Sequence, residues 1–473
     1  MSPAPTTEDP AAAGRRLQLT RAAQWFAGTQ DDPYALILRA EATDPIAYEE
    51  RIRAHGPLFR SDLLDTWVTA SRAVADEVIA SPAFDGLTAE GRRPGLRELP
   101  LSGTALDADR AAYARFGALT AWGGPLMPAP HERALRASAE RRAHALLDGV
   151  EAALAAQGAT DGAAGGTVDL VDAYARRLPA LILREQLGVP EEAAAAFDDA
   201  LAGCRRTLDS VLCPQLLPDS VAGARAEAAL TAVLASALRG TPAGRSPDAV
   251  AAARALAVGA AEPAATLVGN AVQEMLAHPA QWAELVRDPR LAAAAVTETL
   301  RVAPPVRLER RVAREDTDLA GQRIPAGSSV VILVAAVNRA PAAPAPSTAV
   351  SRAPAAPGSA GSGGTRAAGA GGAPTAPHGS GRPRTPAPFD LTRPAAASGP
   401  FGLPGDLHFR LGGPLVRTVA EAALGALAAR LPGLRAAGPA VRRRRSPVLH
   451  GHARLPVAAA RAARDLPATA PQN

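Results

Sequence analysis

ETLRVAPPVRLERRVAREDTDLAGQRIPAGSSVVILVAAVNR occupies residues 298–339, and LHFRLGGPLVRTVAEAALGALAARLPGL occupies residues 407–434. The first opens on Glu298 and Arg301, opposite charges three residues apart that share one helix face and can pair. Residues 316–337 then read as two strands separated by a turn at Pro325–Gly327. The second stretch reads as a helix from Pro414 through Leu431. Between them, residues 340–388 are almost entirely Ala, Pro, Gly, Ser and Thr. Such a segment buries too little apolar surface to offset its ordering entropy, so a disordered insertion is expected there.

Working outward, the rest of the chain is dominated by helical spacing. Residues 14–339 hold one long run of periodic segments, among them residues 131–157 and 171–189 and an Ala-rich helix after Pro247. Alanine is the best helix former, and it carries much of the 47% hydrophobic content. Leu58–Leu63 and Thr66–Thr69 read as a hairpin, with Ser71 as the cap of a following helix. Residues 1–13 and 463–473 read as tails, and 389–462 as the end of the same fold. The expected class is mainly α with small β-sheets.

All 51 basic residues are arginine, the net charge is +5, and aromatics make up 3%. The arginines are interspersed with acids and have few aromatics beside them to stack bases, which argues against nucleic acid as a partner. Arg442–Arg445 is read as a solvated run. Cys204 and Cys213 make no disulfide framework and are read as reduced thiols. No signal segment or membrane span is recognised, so a soluble cytoplasmic protein is expected.

The order of these motifs resembles the C-terminal half of a bacterial cytochrome P-450, and most of the chain outside 340–388 and the tails shares the likeness. The resemblance implies a cytochrome P-450-like fold, but one without haem. The family's haem loop reads approximately Phe-Gly-x-Gly-x-His-x-Cys-x-Gly. Here His408, Phe409, Leu411 and Gly412 match it, while Arg410 stands at the cysteine. Arginine offers iron no lone pair. His408 corresponds to the loop's ordinary histidine and not to the ligand. The acid and alcohol of the long central helix fall on Glu262 and Pro263. Proline relays no proton, and an interruption of that helix is expected there. The arginine that joins the Glu-x-x-Arg pair falls on Pro388, just before Phe389-Asp390-Leu391. Of the positions that hold haem propionates, His131 and Arg136 are five apart where the family has four; Arg311 matches.

No catalytic residue, cofactor or metal ligand is therefore assigned. His408, Arg410, Gly412, Glu262 and Pro263 are taken as vestigial, and Glu298 and Arg301 as structural. One subgroup resembles this combination: the haem-less auxiliary proteins of glycosyltransferases in macrolide and anthracycline biosynthesis. The segments at 31–56, 208–217 and 267–301 resemble it as well. The resemblance implies a protein that binds and activates or stabilises a partner glycosyltransferase as a hetero-oligomer. That partner would transfer a TDP-deoxysugar to a polyketide aglycone. Trp25, Phe26 and Tyr34 are candidate anchors for it, although aromatics more often pack in their own core. The alternatives are a monooxygenase with atypical haem ligation, acting on a hydrophobic natural product, and a decayed relative.

Overall fold

The computed structural model describes residues 10–39, 45–91, 108–120, 126, 132–161, 166–340, 388–393 and 409–459. The helices before the central one are α1 (Pro10–Thr29), α2 (Pro33–Arg39), α3 (Ile46–Ala54), α4 (Arg72–Ala80), α5 (Arg110–Thr120), α6 (Glu132–Asp161), α7 (Arg177–Gln186), α8 (Ala194–Gly203), α9 (Thr207–Ser210) and α10 (Leu217–Ala237). The central helix α11 (Ala249–Ala277) is followed by α12 (Pro279–Arg287), α13 (Ala292–Val302), α14 (Val334–Arg339) and α15 (Phe409–Arg430). The insertion lies outside the described residues, apart from its end positions Ala340 and Pro388.

Strands are short. A five-stranded sheet runs β1 (Phe59–Ser61), β2 (Thr66–Thr69), β8 (Ser329–Leu333), β5 (Leu308–Ala313) and β3 (Phe84–Asp85) in spatial order. Only β2 and β8 are parallel, with Val68 opposite Val331. A second sheet joins β4 (Thr167–Asp169), β12 (Pro456–Ala459) and β9 (Leu434–Ala436). Two hairpins complete the set: β6 (Thr317–Leu319) with β7 (Gln322–Ile324), and β10 (Val441–Arg442) with β11 (His452–Arg454).

The expected hairpin at 58–69 is present as β1–β2, and Ser71 precedes α4 in extended geometry without a side-chain cap. Residues 316–337 depart from the two-strand reading: they form three strands and the start of α14. Ala320 and Gly321 both adopt positive φ, 51° and 76°, the geometry of a tight hairpin turn. Gly321 is the sequence signal for that turn, four residues before the Pro-Ala-Gly turn at Pro325–Gly327.

Two proline expectations are corrected. Helix α11 is continuous through Pro263. A proline inside a helix costs about 3 kcal/mol. Here 21 of 29 helix residues are buried, Leu256, Leu267, Val272 and Met275 among them. Each such side chain contributes about 1.5–3 kcal/mol on burial, so tertiary packing overrides the local loss. Helix α15 likewise begins at Phe409 and runs through Pro414, its sixth residue, which forfeits the bond to the Arg410 carbonyl. Helices α11, α6 and α15 pack together around Leu135, Leu147, Leu256, Val419 and Leu427, all fully buried. Helix α11 is long and apolar enough to cross a membrane, yet it is buried inside the fold.

Candidate functional site

Glu298 and Arg301 form the expected pair on α13. Arg301 donates through Nε to Oε2 at 2.9 Å and through Nη2 to Oε1 at 2.6 Å. This forked geometry is the strong form of a charge-assisted bond. The third arginine is not lost: Arg393, five residues past Pro388, supplies it. Its Nε donates to Glu298 Oε1 at 3.1 Å, and its Nη2 donates to the Pro388 carbonyl at 3.2 Å. Arg301 donates to the same carbonyl at 3.0 Å, and the Asp390 amide donates to Glu298. The triad is thus rebuilt on a displaced residue. A reading by position alone missed it, although an arginine within reach of Phe389 was the available signal.

Glu262 lies one turn before Thr266 and two before Gly269 and Asn270, so these residues share a face of α11. Its carboxylate is 2.7 Å from Arg443 Nη1, 3.3 Å from Arg205 Nε and 3.5 Å from Arg176 Nε. The Arg443 and Arg176 side chains are only 8% and 14% exposed. Burial holds the Arg205 guanidinium below its ordinary value, with Glu262 opposing that shift. The position that would handle protons is therefore a structural counter-charge shared by three arginines.

Arg443 reaches Glu262 because the β10–β11 hairpin lies along this face of α11. Arg442 donates to Asn270 Oδ1 at 2.9 Å. A Cβ on Gly451 would lie 2.7 Å from Thr266 Oγ1, and one on Gly269 would lie 3.1 Å from His452 Nδ1. Burial, with Arg442 second, pushes the His452 imidazole down to about 3, and neither ring nitrogen has a hydrogen-bond partner. The reading of Arg442–Arg445 as a solvated run is corrected: Arg443 is buried, Arg442 and Arg445 are half-buried, and only Arg444 is exposed. Alternating placement in a covered loop, not charge density, decides their fate.

The loop is gripped from the 205–215 segment. Asp209 is fully buried and accepts from Ser446 Oγ at 2.6 Å and from the Val448 and Leu449 amides at 3.1 Å. Burial pushes its carboxyl up in spite of those bonds. Gln215 donates to the Arg445 carbonyl, and Arg206 to that of Arg444. Arg445 and His450 take positive φ, 54° and 46°, strain that persists only where surrounding contacts over-determine it.

The other expected positions are similarly committed. Arg136 lies 2.7 Å from Glu421 on α15. Arg311 is fully buried and paired with Glu309 on its own strand. His131 and His408 lie outside the described residues. Arg410 is the second residue of α15. Two residues on, a Cβ on Gly412 would lie 3.0 Å from Ala260 Cβ, so α15 and α11 touch directly beside the ligand position. A macrocycle between two walls needs two van der Waals contacts, about 7 Å in all. Arg410, the Glu262 cluster, the hairpin over α11 and this contact do not fit haem. Among the described residues no group of three His, Cys, Asp or Glu is placed to hold a metal. Cys204 and Cys213 are free, buried and held up at about 12 by burial.

The cytochrome P450 family model matches residues 273–343. Protein TylM3 of Streptomyces fradiae is 51% identical over 455 residues, covering 94% of this chain and 93% of TylM3. Protein DesVIII of Streptomyces venezuelae is 35% identical over 454 residues, again covering 94% of this chain and 93% of the relative. The ligand-free crystal structure of CYP164A2 from Mycobacterium smegmatis superposes with a TM-score of 0.67 at 25% identity, over 90% of this chain and 99% of that one. With its helical order, its Glu-x-x-Arg triad and full-length relatives all in agreement, the chain belongs to the cytochrome P-450 family.

Proposed function

We propose that the chain is a non-catalytic auxiliary protein that binds a nucleotide-sugar-dependent glycosyltransferase and holds it in its active, folded form. One observation carries this reading. The polar positions of a haem and oxygen site are spent on internal ion pairs, Glu262 on Arg443, Arg205 and Arg176 above all, while the surrounding fold is intact. Glu262 is bonded by Arg443, and Glu298 by Arg301 and Arg393. The full-length likeness to TylM3 and DesVIII supports placing the chain in the haem-less subgroup that its sequence resembles. The partner would be a TDP-deoxysugar transferase acting on a polyketide aglycone, held in a hetero-oligomer.

Such a protein acts by differential binding. Contact with only the active conformer of a partner shifts its equilibrium by the difference in affinity. Binding the folded form alone also stabilises it, by about 2.7 kcal/mol at a concentration 100 times Kd. The test is co-expression with a glycosyltransferase encoded in the same genome. Soluble transferase and its turnover should both rise several-fold. Unchanged yield and turnover would sink the proposal, and a haem Soret band in the purified chain would return the monooxygenase alternative.

A further inference from the structure

Helix α1 is apolar on two sides. Its inner stripe, Ala13, Leu17 and Ala27, is buried against the fold. Its outer stripe follows the same helical spacing through Leu19, Ala22, Trp25 and Phe26, and all four are exposed. Leu19 is 69% exposed, Trp25 57% and Phe26 55%. A surface helix ordinarily presents polar residues there. Helix α10 packs beside α1, with Gly14 close to Leu217, and adds exposed Leu216 and Val221. Four of the seven large exposed hydrophobics among the described residues thus lie on two touching helices, and a fifth, Leu216, immediately precedes α10; Leu63 and Val441 stand elsewhere. Of the three candidate aromatics, Tyr34 is buried, which leaves Trp25 and Phe26 outward.

We infer that the α1–α10 face is the docking surface for the partner glycosyltransferase, taking an apolar groove on that protein with acidic groups at its rim. The inference rests on the auxiliary function proposed above. Leu19, Ala22, Trp25 and Phe26 stand at i, i+3, i+6 and i+7, on one side of the helix, as in helices that enter a groove. Trp25 is held in place: the Arg39 guanidinium sits 4.1 Å from its ring centroid and donates to its carbonyl. A rigid aromatic anchor loses little entropy on binding. Charge selects the occupant. Helix α1 carries Arg15, Arg16 and Arg21 and no acid, and Arg225 follows on α10, with Asp219 the carboxylate in that helix's first turn. A second copy docking α1 on α1 would set like charges together, whereas an acidic rim is complementary.

The experiment compares the full chain with W25E/F26E and with the control L63E, each co-purified with a TDP-deoxysugar transferase from the same genome. Affinity is measured by titration and mass by light scattering. The double variant should keep the wild-type fold and melting point, since both side chains are exposed, and lose at least about 30-fold in affinity; L63E should bind as wild type. Equal binding by W25E/F26E would overturn the docking surface and leave the auxiliary function standing. Absence of transferase binding by the wild type would overturn both. Self-association of the wild type that W25E/F26E abolishes, or its W25E/F26E-sensitive binding to anionic phosphatidylserine vesicles, would give the face to a different occupant and refute the inference.

Discussion

Glu262→Gln removes a single charge and no volume, so it isolates the cluster on α11. In the wild type one carboxylate faces Arg443, Arg205 and Arg176, whose side chains are 8%, 40% and 14% exposed. Deleting one partner of a buried ion pair costs about 3–5 kcal/mol, because the remaining charge stays desolvated. Arg205 is 40% exposed and regains water, and Arg176 keeps its ion pair with Asp172, so the loss falls on Arg443. For about 350 folded residues the unfolding entropy is on the order of 0.7 kcal/mol/K. A loss of about 3–5 kcal/mol therefore lowers Tm by about 4–7 °C. The assay is thermal unfolding followed by far-UV circular dichroism at pH 7.5, with urea titration as a second measure. Glu262→Gln combined with Arg443→Met removes the most buried uncompensated cation and should recover part of the loss. An unchanged Tm in Glu262→Gln would refute the argument, since the carboxylate would then be doing nothing that a neutral amide cannot.

His452 sets a pH dependence. Its folded value, about 3, lies below its unfolded value near 6.5, so the unfolded chain binds the extra proton between the two. Stability from this residue is complete above about pH 6.5 and falls as pH drops, by about 2 kcal/mol at pH 5. His452→Phe should be less sensitive than wild type between pH 7.5 and pH 5 by that amount in urea titrations; parallel curves would contradict it. Cys204 and Cys213, held at about 12, should resist Ellman's reagent in the native chain and react within minutes in 6 M urea, and rapid native labelling would show that burial is wrong. Arg393→Ala should destabilise by about 1–2 kcal/mol in urea, and Pro388→Arg introduced into that variant should restore some of it; a neutral Arg393→Ala would mean that Arg301 alone satisfies Glu298.

What was legible in the sequence was what is local. Glu298 and Arg301 pair across three residues, the β1–β2 hairpin closes across four, and the central helix announces itself by composition. Tertiary compensation was not legible. Pro263 breaks an isolated helix, but nothing near it in the chain reports that α15 packs over it. Arg393 bonds Glu298 across 95 residues, and its displacement past Pro388 hides it from any positional comparison. Arg442–Arg445 has the composition of a solvated run, and only the hairpin's placement on α11 turns Arg443 inward. The Arg410 substitution is legible in the sequence; the gathering of Arg443, Arg205 and Arg176 on Glu262 is not.

The bond between Arg443 and Glu262 spans 181 residues. During synthesis at about 5–20 residues per second, that separation is roughly 10–35 s of elongation. Throughout that interval α11 exists without the hairpin that covers its polar face, and Glu262 lacks its nearest cation. A message cut short before residue 441 leaves Glu262 on α11 without Arg443 and without the hairpin that covers it.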